Sequence, residues 1–170
     1  DVVRALDQVA PMDWYSFLRT RVATTRQPVL DGLERAGYRL VYNDKPNLVL
    51  ADSEKSSNRT DLAWSLGLVM SKDNVLTDVL WGGPAFRAGL TAATTVVAVN
   101  GRAITADRLR AAVTAAATGG PLVELIVKNG DQFRTVTIDY RDGLRYPHLE
   151  PMAGREDRLS KLLAPRAAAP

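Results

Sequence analysis

The chain has 170 residues, a net charge of +3 and 46% hydrophobic residues, enough to bury a globular core. It has no cysteine, which excludes disulfides, thiolate metal sites and a thiol nucleophile, and it has one histidine. Acids and bases are interspersed without a basic block, which argues against a nucleic-acid partner, and no apolar run approaches the ~18 residues of a membrane span.

The first part reads as helical. Val2, Val3, Leu6 and Val9 predict one helix face, stopped by Pro11. Because Asp1 already stands in that periodicity, the chain is read as a piece whose beginning lies elsewhere. Asp13 is placed to cap a second helix with Trp14, Phe17, Leu18 and Val22 as its buried stripe. Pro28 opens a third short helix and Gly37 ends it, before a strand in YRLVY at 38–42. Residues 51–60, ADSEKSSNRT, turn polar and read as a linker.

The second part reads as β-rich. Strands are predicted over 66–71 and 75–81, around Lys72-Asp73-Asn74. Pro84 starts a one-turn helix that Gly89 can end, and 96–99 form a buried strand running into the Asn100-Gly101 turn. Thr105 caps a longer helix from 106 to about 118, stopped by Gly119-Gly120-Pro121. LVELIVK and QFRTVTIDY pair around Asn129-Gly130, and the ending APRAAAP is expected to fray.

Gly83-Pro84-Ala85, Ala88-Gly89-Leu90 and Val97-Ala98-Val99-Asn100-Gly101, preceded by Ser65-Leu66-Gly67-Leu68, stand in an order that resembles a PDZ domain over residues 62–140. The resemblance implies an α+β fold: a partly open β-barrel or sandwich with two helices. It makes Ser65, Leu66, Gly67 and Leu68 a carboxylate-binding loop. Successive backbone amides in such a loop form a nest for an anion, and Gly67 lets a ligand approach closely. An extended peptide would add to the following strand at Val69 and Met70, with Leu109 and Val113 on the opposite wall. The alternative is a groove covered by a flanking segment of the same chain. Ala93-Thr94 stand where the family places Gly-Asp, so this turn is expected to be reshaped.

The flanks narrow the resemblance. DVVRALDQVAPMDWYSFLRTRV, LDGLERAGYRLVY, SLGLVMSKD, LIVKNGDQFRTVTIDY and GLRYPHLE, in that order, resemble the C-terminal portion of the glycyl aminopeptidase family of bacterial zinc metallopeptidases. This implies the helical end of a catalytic domain at 1–50, a linker at 51–61, a PDZ-like domain at 62–141 and a C-terminal extension at 142–170. The family cleaves N-terminal glycine or alanine with a zinc held by a His-Glu-x-x-His helix and a distant glutamate. That motif is absent here, so no catalytic residue is assigned and no cofactor is expected in this chain; zinc belongs to the parent's catalytic domain.

His148 is read as a packed or solvent-facing residue, and Ser65 as a turn residue or ligand donor rather than a nucleophile. Asn58-Arg59-Thr60 matches a glycosylation sequon that a bacterial origin makes meaningless, and Trp14, Trp64 and Trp81 read as packing residues. The function expected is a peptide-binding or regulatory module of a periplasmic or secreted aminopeptidase, with a cytoplasmic setting as the alternative. Its partners would be a peptide or protein C-terminus or its own catalytic domain. The competing readings are a structural or oligomerisation module with a self-occupied groove, which includes a homodimer, and a stand-alone peptide-binding adaptor.

Overall fold

The computed structural model describes residues 2–23 and 30–165; the expected helix start at Pro28 and the fraying of the last five residues lie outside them. In chain order the elements begin α1 (Val2–Val9), α2 (Trp14–Ala23), α3 (Asp31–Arg35), β1 (Tyr38–Asn43), α4 (Leu48–Ser57), β2 (Arg59–Leu62), β3 (Leu68–Ser71) and β4 (Leu76–Val79). They continue α5 (Pro84–Arg87), β5 (Thr95–Val99), β6 (Arg102–Ala103), α6 (Ala106–Ala117), β7 (Val123–Asn129), β8 (Gln132–Ile138), β9 (Tyr146–Pro151) and α7 (Arg158–Leu163). Two compact units result: Asp1–Leu40 with Glu150–Pro170, and Val41–Leu149.

In the first unit, the Asp13 side chain accepts the Ser16 amide at 3.0 Å and starts α2 as its spacing predicts. The buried stripe expected on this helix does not form. Trp14, Phe17 and Leu18 are half-buried, and Val22 is exposed, as are Val2 and Val9 of α1. Phe17 packs edge-on to Trp14 and lies under the Arg21 guanidinium. Arg21 also forks onto Asp31, with both hydrogen bonds at 2.7 Å, and Arg35 reaches the same carboxylate at 3.0 Å.

The second unit holds one core, built from Leu66, Leu68, Met70, Leu76, Leu90, Val96, Leu109, Val113, Leu125 and Ile138 among others. Two open sheets enclose it, ordered β2-β3-β4 and β6-β5-β7-β8, and β1 pairs with β9 in a two-stranded sheet. No closed barrel forms among the described residues; the expected partly open barrel or sandwich takes the form of open sheets around one core, with helices beside them. The cause lies in the pairing: β4 ends its sheet, and the link beside it to β5 is short, the Val75–Thr95 bridge with backbone hydrogen bonds from Leu76 to Thr94, from Val96 to Asn74 and from Ala93 to Leu76.

Local chemistry explains most elements of this unit. On α6, Leu109, Ala112, Val113 and Ala116 recur at helical spacing on the buried face, and the Thr105 hydroxyl accepts the Arg108 amide at 3.2 Å. The β7–β8 hairpin pairs from Val123–Ile138 down to Asn129–Gln132 around the expected turn. Residues 51–61, expected as a linker, carry most of α4 and β2. Asn47 caps α4 through the Leu50 amide, and Asn58 ends it in the left-handed conformation at φ 52°. The turn at Ala93 is where the departure from the family's Gly-Asp falls. Ala93 adopts φ 66°, and its amide bonds the Leu76 carbonyl at 2.8 Å, so sheet contacts hold an alanine where glycine fits more easily.

Candidate strand-accepting site

The loop 63–67 turns the chain from β2 back into β3. The two strands pair antiparallel along their whole length: Arg59 with Ser71, Thr60 with Met70, Asp61 with Val69, and Leu62 with Leu68. On its other side β3 pairs with β4, where a bulge falls between Val69 and Met70. Both edges of β3 are therefore taken. The edge that an added peptide would extend carries β2.

The direction of β2 matters as much as its presence. A peptide that points its terminal carboxylate at the Ser65–Leu68 loop would run antiparallel to β3, with its last residue opposite Leu68. Leu62 occupies that place and is 1% exposed. Its carbonyl oxygen accepts the Ser65 amide at 3.1 Å and the Gly67 amide at 3.0 Å. One backbone oxygen with two lone pairs thus takes the donors that a carboxylate oxygen would need.

Gly67 has φ 75°, as a glycine in such a loop permits. What approaches it is not a ligand. A β-carbon there would lie 3.3 Å from the Gly83 Cα and 3.5 Å from the Pro84 Cδ, so the glycine makes room for the start of α5. The loop is tied to that segment by the Leu80 amide on the Gly67 carbonyl (2.9 Å) and the Ala85 amide on the Leu66 carbonyl (2.8 Å). Ser65 is buried; its hydroxyl accepts the Arg145 amide at 3.0 Å, which makes it a turn and packing residue.

Of the remaining residues expected in the groove, Leu66, Leu68, Met70, Leu109 and Val113 are brought together, but inside the core, and Val69 is buried outside that cluster. A cleft of about 430 Å³ remains at the far end of the β2–β3 ribbon, lined by Asn58, Thr60, Met70, Lys72, Asn74 and Thr105 among others.

Sequence reasoning did not find Glu54 and Arg110. One oxygen of the Glu54 carboxylate accepts the Asp61 amide of β2 at 2.6 Å and Arg110 Nη2 of α6 at 2.8 Å. Ser53 adds a hydroxyl that accepts from Arg59 at 3.0 Å. Burial works against the charge on Arg110, but the Tyr146 hydroxyl and the Glu54 carboxylate beside it outweigh that, and its pKa is raised. Burial pushes the Tyr146 hydroxyl up, opposed by Arg110; that hydroxyl is enclosed and makes no hydrogen bond of good geometry. Glu54 lies in a polar stretch, and no signal short of strand register would have singled it out.

Among the described residues no three His, Asp or Glu side chains cluster as ligands, and the His148 Nε2 lies 2.8 Å from the Lys45 carbonyl. No described helix is long and apolar enough to cross a membrane.

No family model and no curated protein matches the chain. Among solved structures it is similar to the HtrA3 PDZ domain bound to a phage-derived ligand, FGRWV. Identity is 18% and the TM-score 0.33, over 69% of this chain and 95% of that one. At that score the overlap is loose, and the filled edge of β3 stands on strand register and hydrogen bonds alone.

Proposed function

We propose that the chain is a non-catalytic, PDZ-like module of a bacterial zinc aminopeptidase, and that its strand-accepting edge is filled by its own β2. The observation that carries the filled edge is the register of β2 on β3, with the Leu62 carbonyl on the Ser65 and Gly67 amides. A strand already paired on both sides offers no ladder of free donors and acceptors to an incoming peptide. The resting role of the module is then structural: it holds a compact body beside the peptidase domain that the flanking sequence blocks imply. A parent enzyme acting on N-terminal glycine or alanine, in the periplasm or outside the cell, is the setting those blocks support.

Two experiments test the two halves of this reading. Titration of the isotope-labelled chain with a peptide ending in an apolar residue should leave the Ser65 and Gly67 amide signals in place below about millimolar peptide; shifts at micromolar peptide would overturn the filled edge. A His-Glu-x-x-His helix encoded upstream of Asp1 would support the peptidase parent, and upstream sequence lacking one would remove it.

A further inference from the structure

The reading of β2 as a filled edge leaves open how firmly that edge is held, and the structure bears on this. We infer that α4 and β2 form a releasable plug latched by Glu54 to Arg110, which keeps out the C-terminal peptide that the resemblance implies for this site. This rests on the filled-edge reading and adds regulation to the same site.

Four observations carry it. First, the plug has little core of its own: no residue of α4 is buried, Leu48 is 90% exposed, and only Leu50 packs against the core. Second, its inward anchors are few. Thr60 and Leu62 are the buried residues of β2, which they hold together with four strand pairs, the Leu62 carbonyl and the latch; α4 adds Leu50 and the Asn47 side-chain amide, which donates to the Pro147 carbonyl at 2.8 Å. Third, the latch is one shared atom. The same Glu54 oxygen bonds β2 through the Asp61 amide and α6 through Arg110, so loss of the charge loosens both. Fourth, the cleft of about 430 Å³ opens where residues upstream of Arg59 would continue in a longer peptide. A competing strand can dock its upstream residues there before it displaces β2.

The peptide that tests this is copied from the plug itself. Residues 59–62 are Arg-Thr-Asp-Leu, with leucine at the loop and threonine facing inward. A free peptide of that sequence ends in a carboxylate at the place where the Leu62 carbonyl stops. It offers the loop amides a charged acceptor, and charge-assisted hydrogen bonds are the stronger kind. Opposing it is tethering: a loop of five residues holds β2 at an effective concentration of about millimolar or above, so a free copy with equal contacts hardly competes. Weakening the latch shifts that balance toward the free peptide.

The test uses the 170-residue chain and the peptide Arg-Thr-Asp-Leu with a free C-terminus, followed by the Gly67 amide signal. The wild type is expected to respond only above about millimolar peptide. Glu54→Gln and Arg110→Gln should each bind at least about tenfold more tightly, and the C-terminally amidated peptide should lose the gain. Equal, weak binding by wild type and both variants overturns the latch and leaves the filled edge standing. Micromolar binding by the wild type itself shows an open edge and removes the underlying reading instead. Hydrogen exchange in the wild type decides the matter should a variant not fold: β2 amides exchanging about tenfold faster than those of β7 support a releasable plug, and equal protection overturns it.

Discussion

The Leu62 carbonyl accepts the Gly67 amide across 3.0 Å, five residues on, and this bond closes the loop expected to take a ligand's carboxylate. Leu62 contributes through its side chain as well, being fully enclosed opposite Leu68. Leu62→Ala removes that packing and should cost about 2–4 kcal/mol in a urea melt followed by circular dichroism. A loss under about 0.5 kcal/mol would mean that Leu62 is not packed in the core.

Gly67 and Gly101 give a matched comparison. Both have positive φ, at 75° and 74°, but a β-carbon on Gly101 meets nothing within 4 Å, whereas one on Gly67 meets the Gly83 Cα at 3.3 Å. Gly101→Ala should cost the backbone term alone, about 1 kcal/mol. Gly67→Ala should cost about 1 kcal/mol more, because backbone rather than a flexible side chain must yield. Equal losses in thermal melts would mean that α5 does not press on the loop.

Ala93→Gly runs the other way. Alanine at φ 66° bears a left-handed penalty that glycine does not, while glycine adds freedom to the unfolded chain. The net expectation is a gain of about 0.5–1 kcal/mol, read as a higher melting temperature. A loss would place the strain elsewhere in the turn.

Asp31 reports on the helical unit. The hydrogen bonds from Arg21 are the main cause that holds its carboxyl below the ordinary 3.8. A carboxyl whose folded value is depressed adds stability above its unfolded value and loses it as pH falls through the folded one. An NMR titration of the Asp31 carboxyl should therefore show a midpoint below 3.8, and Arg21→Ala should move it upward. A midpoint unchanged by that substitution would show that the fork does not form in solution.

The contrast between what the chain announces and what it conceals has a physical basis. The β7–β8 hairpin, the Pro84 turn of helix and the Thr105 cap are local: each depends on residues within a few positions, and each forms where its signals stand. The Ser-Leu-Gly-Leu loop was legible for the same reason. Its occupant was not. Residues 51–61 look like a linker because α4 leaves Leu48 and Val49 exposed and buries nothing, so no hydrophobic periodicity marks it. Likewise β2 is four residues long with an arginine and an aspartate among them, and its strand character comes from register on β3 rather than from its own composition. Glu54 becomes meaningful only once folding brings Asp61 and Arg110 to it.

Occupation of the β3 edge by the chain itself is tested most directly by the scalar coupling that NMR detects through a hydrogen bond, measured from the Gly67 amide nitrogen to the Leu62 carbonyl carbon. A resolved coupling, present without peptide and unchanged when peptide is added to the wild type at micromolar concentration, is the result predicted. No coupling, together with a Gly67 amide that exchanges with water as fast as an unstructured one, would contradict it.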